Sequence, residues 1–435
     1  MSEVVAEAAV ADSSIGTVVI GKVSRRLMWF IMALYFFAIL DRGNISFAAL
    51  SMNQDLGLTS GMFGIGVGVM YVTYSLLEIP SNLILARTGA RLTLARIAIL
   101  WGLATLAMAA TVGPLTLYLF RGLLGAAESG LFPGVMLLLS LWFPFAYRAR
   151  FNAMFSYVVP AAYVFSSLIS GAILSMNGVW GIVGWKWLFL LEGLPPIALG
   201  VIGLYYVTDT PADAKWLSVE EKTWLETELH TTAKQLGVVE GRGVASTLRQ
   251  PIVLLFGLCN FGLFCGLASL SPWLPQMLRA FGLTVVQIGL VAALPPLAGL
   301  IGMILFSRHS DRLGERFYYA AAMFVTAAVG FAGAGLASSL VLVVGSFMVA
   351  YVGVFAAQAI FWTIPQSYLA RDSAPAAIGL IGMLGSIGGA LVPVAIGRVK
   401  DATGSYEGGF LIVAAMLVGA GLLTMLSKHR LERRA

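Results

Sequence analysis

Asp41 and Arg42 stand side by side in Leu40-Asp41-Arg42-Gly43-Asn44, inside an otherwise continuous apolar stretch. A charge at the centre of a membrane helix costs about 2.5–3.5 kcal/mol even on a lenient insertion scale, so the pair must face protein or water rather than lipid. Further on, Arg121, Gly125, Glu128 and Phe132 recur at helical steps, which puts a cation and a carboxylate on one face about 10 Å apart. Two chemistries follow. Burial raises a carboxyl pKa and a nearby arginine lowers it, so moving the arginine switches a carboxyl between holding and releasing a proton. An arginine also offers charge-assisted bonds to a substrate carboxylate. The residues therefore predict proton uptake by Asp41 and Glu128, anion binding by Arg42 and Arg121, and tuning by Tyr74. Tyr71, Tyr74, Ser75 and Glu78 form a second polar stripe, and Asn152, Ser156 and Tyr163 a third.

Two plainer readings compete with this one. The Asp41-Arg42 pair lies about 22 Å into its helix and could snorkel to the far headgroups; the charges on later helices count against that. Either arginine could instead be a permanent partner of a carboxylate, in which case proton uptake survives and substrate binding by that arginine does not. Glu78, beside Pro80, and Glu192, beside Gly193-Leu194-Pro195-Pro196, read first as structural groups that bond exposed backbone near the prolines.

The elements that must hold these residues are membrane helices. The chain has 435 residues, 59% of them hydrophobic and 11% charged, and a mean hydropathy of +0.89, which excludes a soluble domain. Twelve apolar stretches can cross ~30 Å of hydrocarbon, near 26–50, 60–84, 93–111, 114–141, 151–175, 186–207, 251–275, 283–306, 317–337, 340–363, 373–396 and 406–427. The expected architecture is all-α and polytopic, with twelve transmembrane helices in two pseudo-symmetric six-helix bundles. Residues 1–25 read as a polar tail without a cleavable signal, 26–207 as one bundle, 208–250 as a linker, 251–427 as the second bundle and 428–435 as a second tail. Ser218 and Glu221 form a capping box that opens a short linker helix through His230.

Twenty-one of the 27 Lys and Arg fall in the tails and alternate loops, while the opposite loops hold Lys186, Arg279, Arg398 and Lys400. The positive-inside rule then puts both termini in the cytoplasm. Cys259 and Cys265 share one helix, too far apart to bridge, and read as packing residues. The three histidines lie in loops or tails, which leaves no histidine-based metal or nucleophile site in the membrane and argues against an enzyme.

Two internal matches suggest parallel repeats. Ala86-Arg87-Thr88-Gly89-Ala90-Arg91 is echoed by Asp311-Arg312-Leu313-Gly314-Glu315-Arg316, and Ala126-Ala127-Glu128-Ser129 by Ala356-Ala357-Gln358-Ala359, at nearly the same offset. The second copy of the loop resembles the cytoplasmic signature of the major facilitator superfamily. The stretches around Asp41, from Arg121 to Gly134, from Gly184 to Gly193 and from Asp209 to Leu217 resemble the anion:cation symporter family within it. That resemblance covers essentially the whole chain. It implies a permease for tartrate, phthalate, hydroxyphenylacetate, sugar acids or related anions, usually proton-driven, and supports the roles given to Asp41, Glu128 and the arginines. It also implies a conformational latch of Arg87, Gly89, Arg91, Asp311, Arg312, Gly314 and Arg316, weaker on the first-half side because Ala86 stands where an acid would be.

The second half has no charge well inside its spans. Gln358, Trp362 and Gln366 share one helix face and are expected to read substrate shape, with Asn260 beside them as a further substrate residue. The Pro272/Pro275 and Pro295/Pro296 pairs can bend their helices. The leading expectation is a proton-coupled symporter that imports a small organic anion across the inner membrane, monomeric, without cofactor, metal or nucleic acid. A proton antiporter or efflux pump, and an anion sensor that does not transport, are the alternatives; the intramembrane arginines disfavour the first and the short tails the second.

Overall fold

The computed structural model describes residues 2–236, 250–368 and 374–432. Linker residues 237–249, Arg371, Arg433 and Arg434, and the side chains of Arg148, Arg150, Asn152, Ser156 and His230, lie outside the described residues. Among the described residues, eleven helices are long and apolar enough to cross a membrane. One of them, Ser60–Met108, has 49 residues, about 73 Å at 1.5 Å per residue and more than twice the hydrocarbon core. It breaks at Gly89, whose φ of 78° and ψ of 174° are not helical. The crossings are therefore twelve.

In order, span 1 is Ser2–Asp55, spans 2 and 3 are 60–88 and 90–108, span 4 is Pro114–Glu128 with Leu131–Trp142, span 5 is Phe145–Leu174 and span 6 is Gly184–Tyr206. After the linker helix Val219–Leu236 come span 7 (Pro251–Arg279), span 8 (Val285–Ala292 with Leu294–Leu313), span 9 (Arg316–Leu336), span 10 (Leu340–Phe361 with Thr363–Tyr368), span 11 (Ala374–Thr403) and span 12 (Glu407–Glu432). Span 8 breaks just before Pro295-Pro296, whereas span 7 runs through Pro272 and Pro275 as one helix. Cys259 and Cys265 are buried and unbridged.

The polar stretch at the start of the chain is helical and continuous with span 1. Its end rests on the linker helix, where Lys22 pairs with Glu221 and Gly16 lies against the Trp224 ring. The linker helix opens on the expected capping box: Glu221 Oε2 accepts from Ser218 N at 2.9 Å, and Ser218 Oγ accepts from Glu221 N at 3.2 Å. It continues past His230 to Leu236.

The bonds that join the halves gather away from the basic loops. Asp401 of span 11 accepts from Ser60 N at 2.9 Å and Gly61 N at 2.8 Å, the first turn of span 2. Gly64 and Gly68 bring span 2 onto the carbonyls of Pro393 and Ala390, and Gly171 brings span 5 onto Gly289. Ser46 meets Ser271 at 3.2 Å, and Ser167 Oγ donates to the Ala292 carbonyl at 3.3 Å. The seam ends near mid-membrane, where Tyr71 lies against Gly389 and Tyr163 stacks on Phe355. On the basic face the ion pairs stay within one half or tie it to the linker: Arg91 with Asp209, Arg316 with Asp311, Lys428 with Glu315. We call the interface beyond these two contacts, toward the basic loops, the cleft, and Tyr71 and Tyr163 its floor.

Candidate functional site

Span 1 carries Asp41 and Arg42 to the level of that floor, and the two side chains separate. Asp41 is 2% exposed. Its Oδ1 accepts from Asn44 Nδ2 at 2.8 Å and Thr105 Oγ1 at 3.1 Å, and its Oδ2 from Trp101 Nε1 at 3.1 Å. Three donors from two helices offset the cost of burying the carboxylate. Sequence reasoning missed Trp101 and Thr105, since nothing local in span 3 distinguishes them from lipid-facing residues.

Arg42 turns instead to span 4. Its Nε and Nη2 both donate to Glu128 Oε1, at 3.0 and 2.7 Å. The arginine side chain is 25% exposed and the glutamate 1%, so the cation forms the boundary between buried acid and cleft. Its guanidinium lies 5.5 Å from the centre of the Tyr74 ring. Glu128 Oε2 is buried without a partner. Tyr35, Tyr71 and Tyr163 lie within electrostatic reach of the pair.

Arg121, expected at the substrate, is 2% exposed. Its Nε donates to the Gly66 carbonyl at 3.2 Å, and Nη1 is buried without a partner. It lies within electrostatic reach of Asp41, Tyr71, Glu128 and Arg42. The four charged residues thus form one cluster in the first half, in which Arg42 faces the cleft and Arg121 the interior.

Span 4 breaks immediately after Glu128. Gly130 takes a left-handed φ of 85°, and the freed Ser129 carbonyl accepts from Ser81 Oγ at 2.8 Å. A side chain at Gly130 would strike that serine. The signal was present as Gly130 followed by Pro133, and it marks irregular backbone kept where protein can bond it. Span 10 is interrupted at Trp362, about 230 residues further on, but its backbone stays right-handed helical there, without the left-handed turn of Gly130. Gln358 and Trp362 are half-buried there, and Gln366 is exposed. Asn260 is fully buried and donates to the Ile381 carbonyl at 2.8 Å, tying span 7 to span 11.

The first-half loop has an acid that the local sequence lacks. Asp209, from the start of the linker, accepts from Arg91 N at 2.9 Å and lies 3.4 Å from Arg91 Nε, packed against Gly89. In the second loop Gly314 is left-handed, Arg316 lies 3.9 Å from Asp311, and its Nη1 reaches Ser367 Oγ at 3.2 Å. Arg87 and Arg312 are exposed. Glu78 is half-buried, and Glu192 is buried with Ser170.

The model of the Major Facilitator Superfamily matches residues 31–393. A protein of Agrobacterium vitis named "Putative tartrate transporter" is 41% identical over 94% of this chain and 91% of its own. A "Quinolone resistance transporter" of Acinetobacter baumannii is 34% identical over 96% of each. The crystal structure of a bacterial homologue of the human lysosomal transporter Spinster, inward-facing and unoccupied, has a TM-score of 0.72 at 17% identity, covering 94% of this chain and 97% of that one. That likeness is one of fold.

Proposed function

Since this multi-pass chain belongs to the Major Facilitator Superfamily of membrane transporters, we propose that it is a proton-coupled symporter importing a small organic anion across the inner membrane by alternating access. The bundles 26–207 and 251–427 rock against each other about the seam, with linker 208–250, the basic face and both termini in the cytoplasm. The protein works as a monomer.

The observation that carries this reading is the Arg42–Glu128 pair at the wall of the cleft. A substrate carboxylate and Glu128 compete for one guanidinium. A proton on Glu128 removes its charge, so Arg42 turns its fork to the substrate with bidentate, charge-assisted bonds. Loss of the proton restores the internal pair and expels the anion. Proton and anion therefore bind together and leave together.

Asp41 is the second proton carrier, and buried Arg121 is its counter-charge rather than a substrate ligand. Tyr74 lines the site beside Arg42, and Gln358, Trp362 and Gln366 contact the substrate from the other half. Asn260 serves packing between spans 7 and 11. The loops of Arg87, Gly89 and Arg91 and of Asp311, Arg312, Gly314 and Arg316 latch the basic face when the cleft closes there. The tartrate name of the Agrobacterium relative supports a hydroxylated dicarboxylate as the first substrate to try.

A second reading, proton-driven efflux, is favoured by the name of the Acinetobacter relative. Proteoliposomes separate the two. Accumulation of tartrate or another organic acid under an inward proton gradient, abolished by an uncoupler, supports the symporter. Gradient-driven expulsion of a quinolone, with no acid taken up, overturns it.

A further inference from the structure

Glu192 is a buried carboxyl to which the transport cycle above assigns no task. It lies on span 6, 4% exposed, about two turns inside Trp185. Ser170 Oγ of span 5 donates to its Oε1 at 3.2 Å, and the Asn44 amide of span 1 donates to the carboxyl as well. Asn44 is the amide that also donates to Asp41. One amide thus bridges two carboxyls.

Two oxygens of this cluster, Glu192 Oε2 and Asn44 Oδ1, are buried with no partner. Both are acceptors, so neither can satisfy the other, and buried unpaired oxygens are disfavoured. One proton removes both defects. Placed on Glu192, it makes an O–H that donates to Asn44 Oδ1, while one Asn44 N–H remains on Asp41 and the other on the Glu192 carboxyl. The charged surroundings favour the same state. The charged neighbour of Glu192 is Asp41, of like sign. Asp41 in turn faces Arg121 and Glu128 of span 4 and the neutral Trp101 and Thr105 of span 3.

We propose that Glu192 is a positioning residue that works as a neutral acid: its O–H holds the Asn44 amide on Asp41 and so sets the pH at which Asp41 exchanges the transported proton. The proton on Glu192 stays in place through the cycle. This inference rests on the proton-coupled reading.

The test is infrared difference spectroscopy of the full chain in liposomes, without substrate, titrated with acid and base. Wild type at about pH 7 shows a protonated-carboxyl band that Glu192→Gln removes. The Asp41 band, identified by its loss in Asp41→Asn, titrates unchanged in Glu192→Gln, because the glutamine N–H still donates to Asn44. In Glu192→Leu, which offers no donor, it moves about one to two pH units higher, as loss of a bond to the charged form requires. A wild-type spectrum whose neutral-pH carboxyl bands all persist in Glu192→Gln overturns the proposal, and so does a Glu192→Leu titration equal to wild type. If the leucine variant does not fold, the glutamine band decides alone. An Asp41 band that never titrates would overturn the proton-coupled reading instead, and the Glu192 band would still report its own proton.

Discussion

Glu128→Gln tests the competition at Arg42 directly. In the wild type Arg42 gives two bonds to one oxygen of Glu128, at 3.0 and 2.7 Å. A hydrogen bond to a charged group contributes about 1.5–3 kcal/mol net. Because the arginine is 25% exposed and both bonds share one acceptor, the low figure applies to each at most, and about 1.5–3 kcal/mol covers the pair. An arriving anion must displace that interaction. Glutamine keeps the shape without the charge, so the variant should bind the transported acid about ten- to a hundredfold more tightly above neutral pH, at about 1.4 kcal/mol per decade. Wild-type affinity should fall with rising pH by up to about tenfold per unit for each coupled proton, since proton and anion assist each other reciprocally. The variant should lose the share of that slope due to Glu128. Equilibrium binding to purified protein across pH, with counterflow and gradient-driven uptake in proteoliposomes, gives all the readouts. Counterflow should persist and gradient-driven accumulation disappear. Weaker binding than wild type, or an unchanged pH slope, would refute the competition.

The two arginines should fail differently. Arg42→Ala leaves buried Glu128 without its ion-pair partner and should both abolish anion binding and cost about 3–5 kcal/mol of stability, read as a lower Tm in detergent, whereas Arg121→Ala, which loses a bond to the Gly66 carbonyl, should leave anion binding in place. Asp401→Ala removes the cap on the first turn of span 2 and should shift the equilibrium about five- to thirtyfold away from the basic-face-open state, about 1–2 kcal/mol. Spin labels at Gln54→Cys and Ala402→Cys should then show a longer distance population, and an unchanged distribution would rule Asp401 out as a latch. Lys22 and the Ser218 amide hold the Glu221 carboxyl below its ordinary pKa. Docking of the linker helix should therefore be intact above the unfolded value near pH 4.3 and weaken as pH falls below it; hydrogen exchange over 219–236 that is already fast at neutral pH would contradict this.

The elements were legible because long apolar runs and intramembrane charges are local signals. Asp41, Arg42, Arg121 and Glu128 are brought into one cluster, as their cost in lipid requires. Which carboxylate each arginine serves was not legible, because span 1 offers two adjacent side chains and only the packing of spans 3 and 4 directs Asp41 to Trp101 and Arg42 to Glu128. Ala86 reads as a missing acid in the first loop, but Asp209 enters from the linker, 118 residues beyond Arg91, a distance that no local pattern spans. The partner of the Asn260 amide is a backbone carbonyl that no side-chain pattern reveals.

The division of charge between the halves has a mechanical reason. Breaking a buried ion pair costs about 3–5 kcal/mol; had Arg42 and Glu128 stood on opposite bundles, each swing would have to break one. Both instead belong to the first half, and the seam is made of close glycines, serine hydroxyls and one carboxylate on backbone amides. The neutral hydrogen bonds among them contribute about 1 kcal/mol each, so on the proposed mechanism the seam can open and close without breaking a charged pair. The balance between its two states is then set by whatever crosses the cleft. On the proposed mechanism that is the substrate, bonded to Arg42 on one side and to Gln358 and Gln366 on the other. Protonated Glu128 with a bound anion leaves a net charge at Arg42 no greater than in the empty, ionised pair, so loaded and empty carriers can both cross. Either ligand alone leaves one uncompensated charge in the cleft and holds the halves apart, which is the condition for tight coupling.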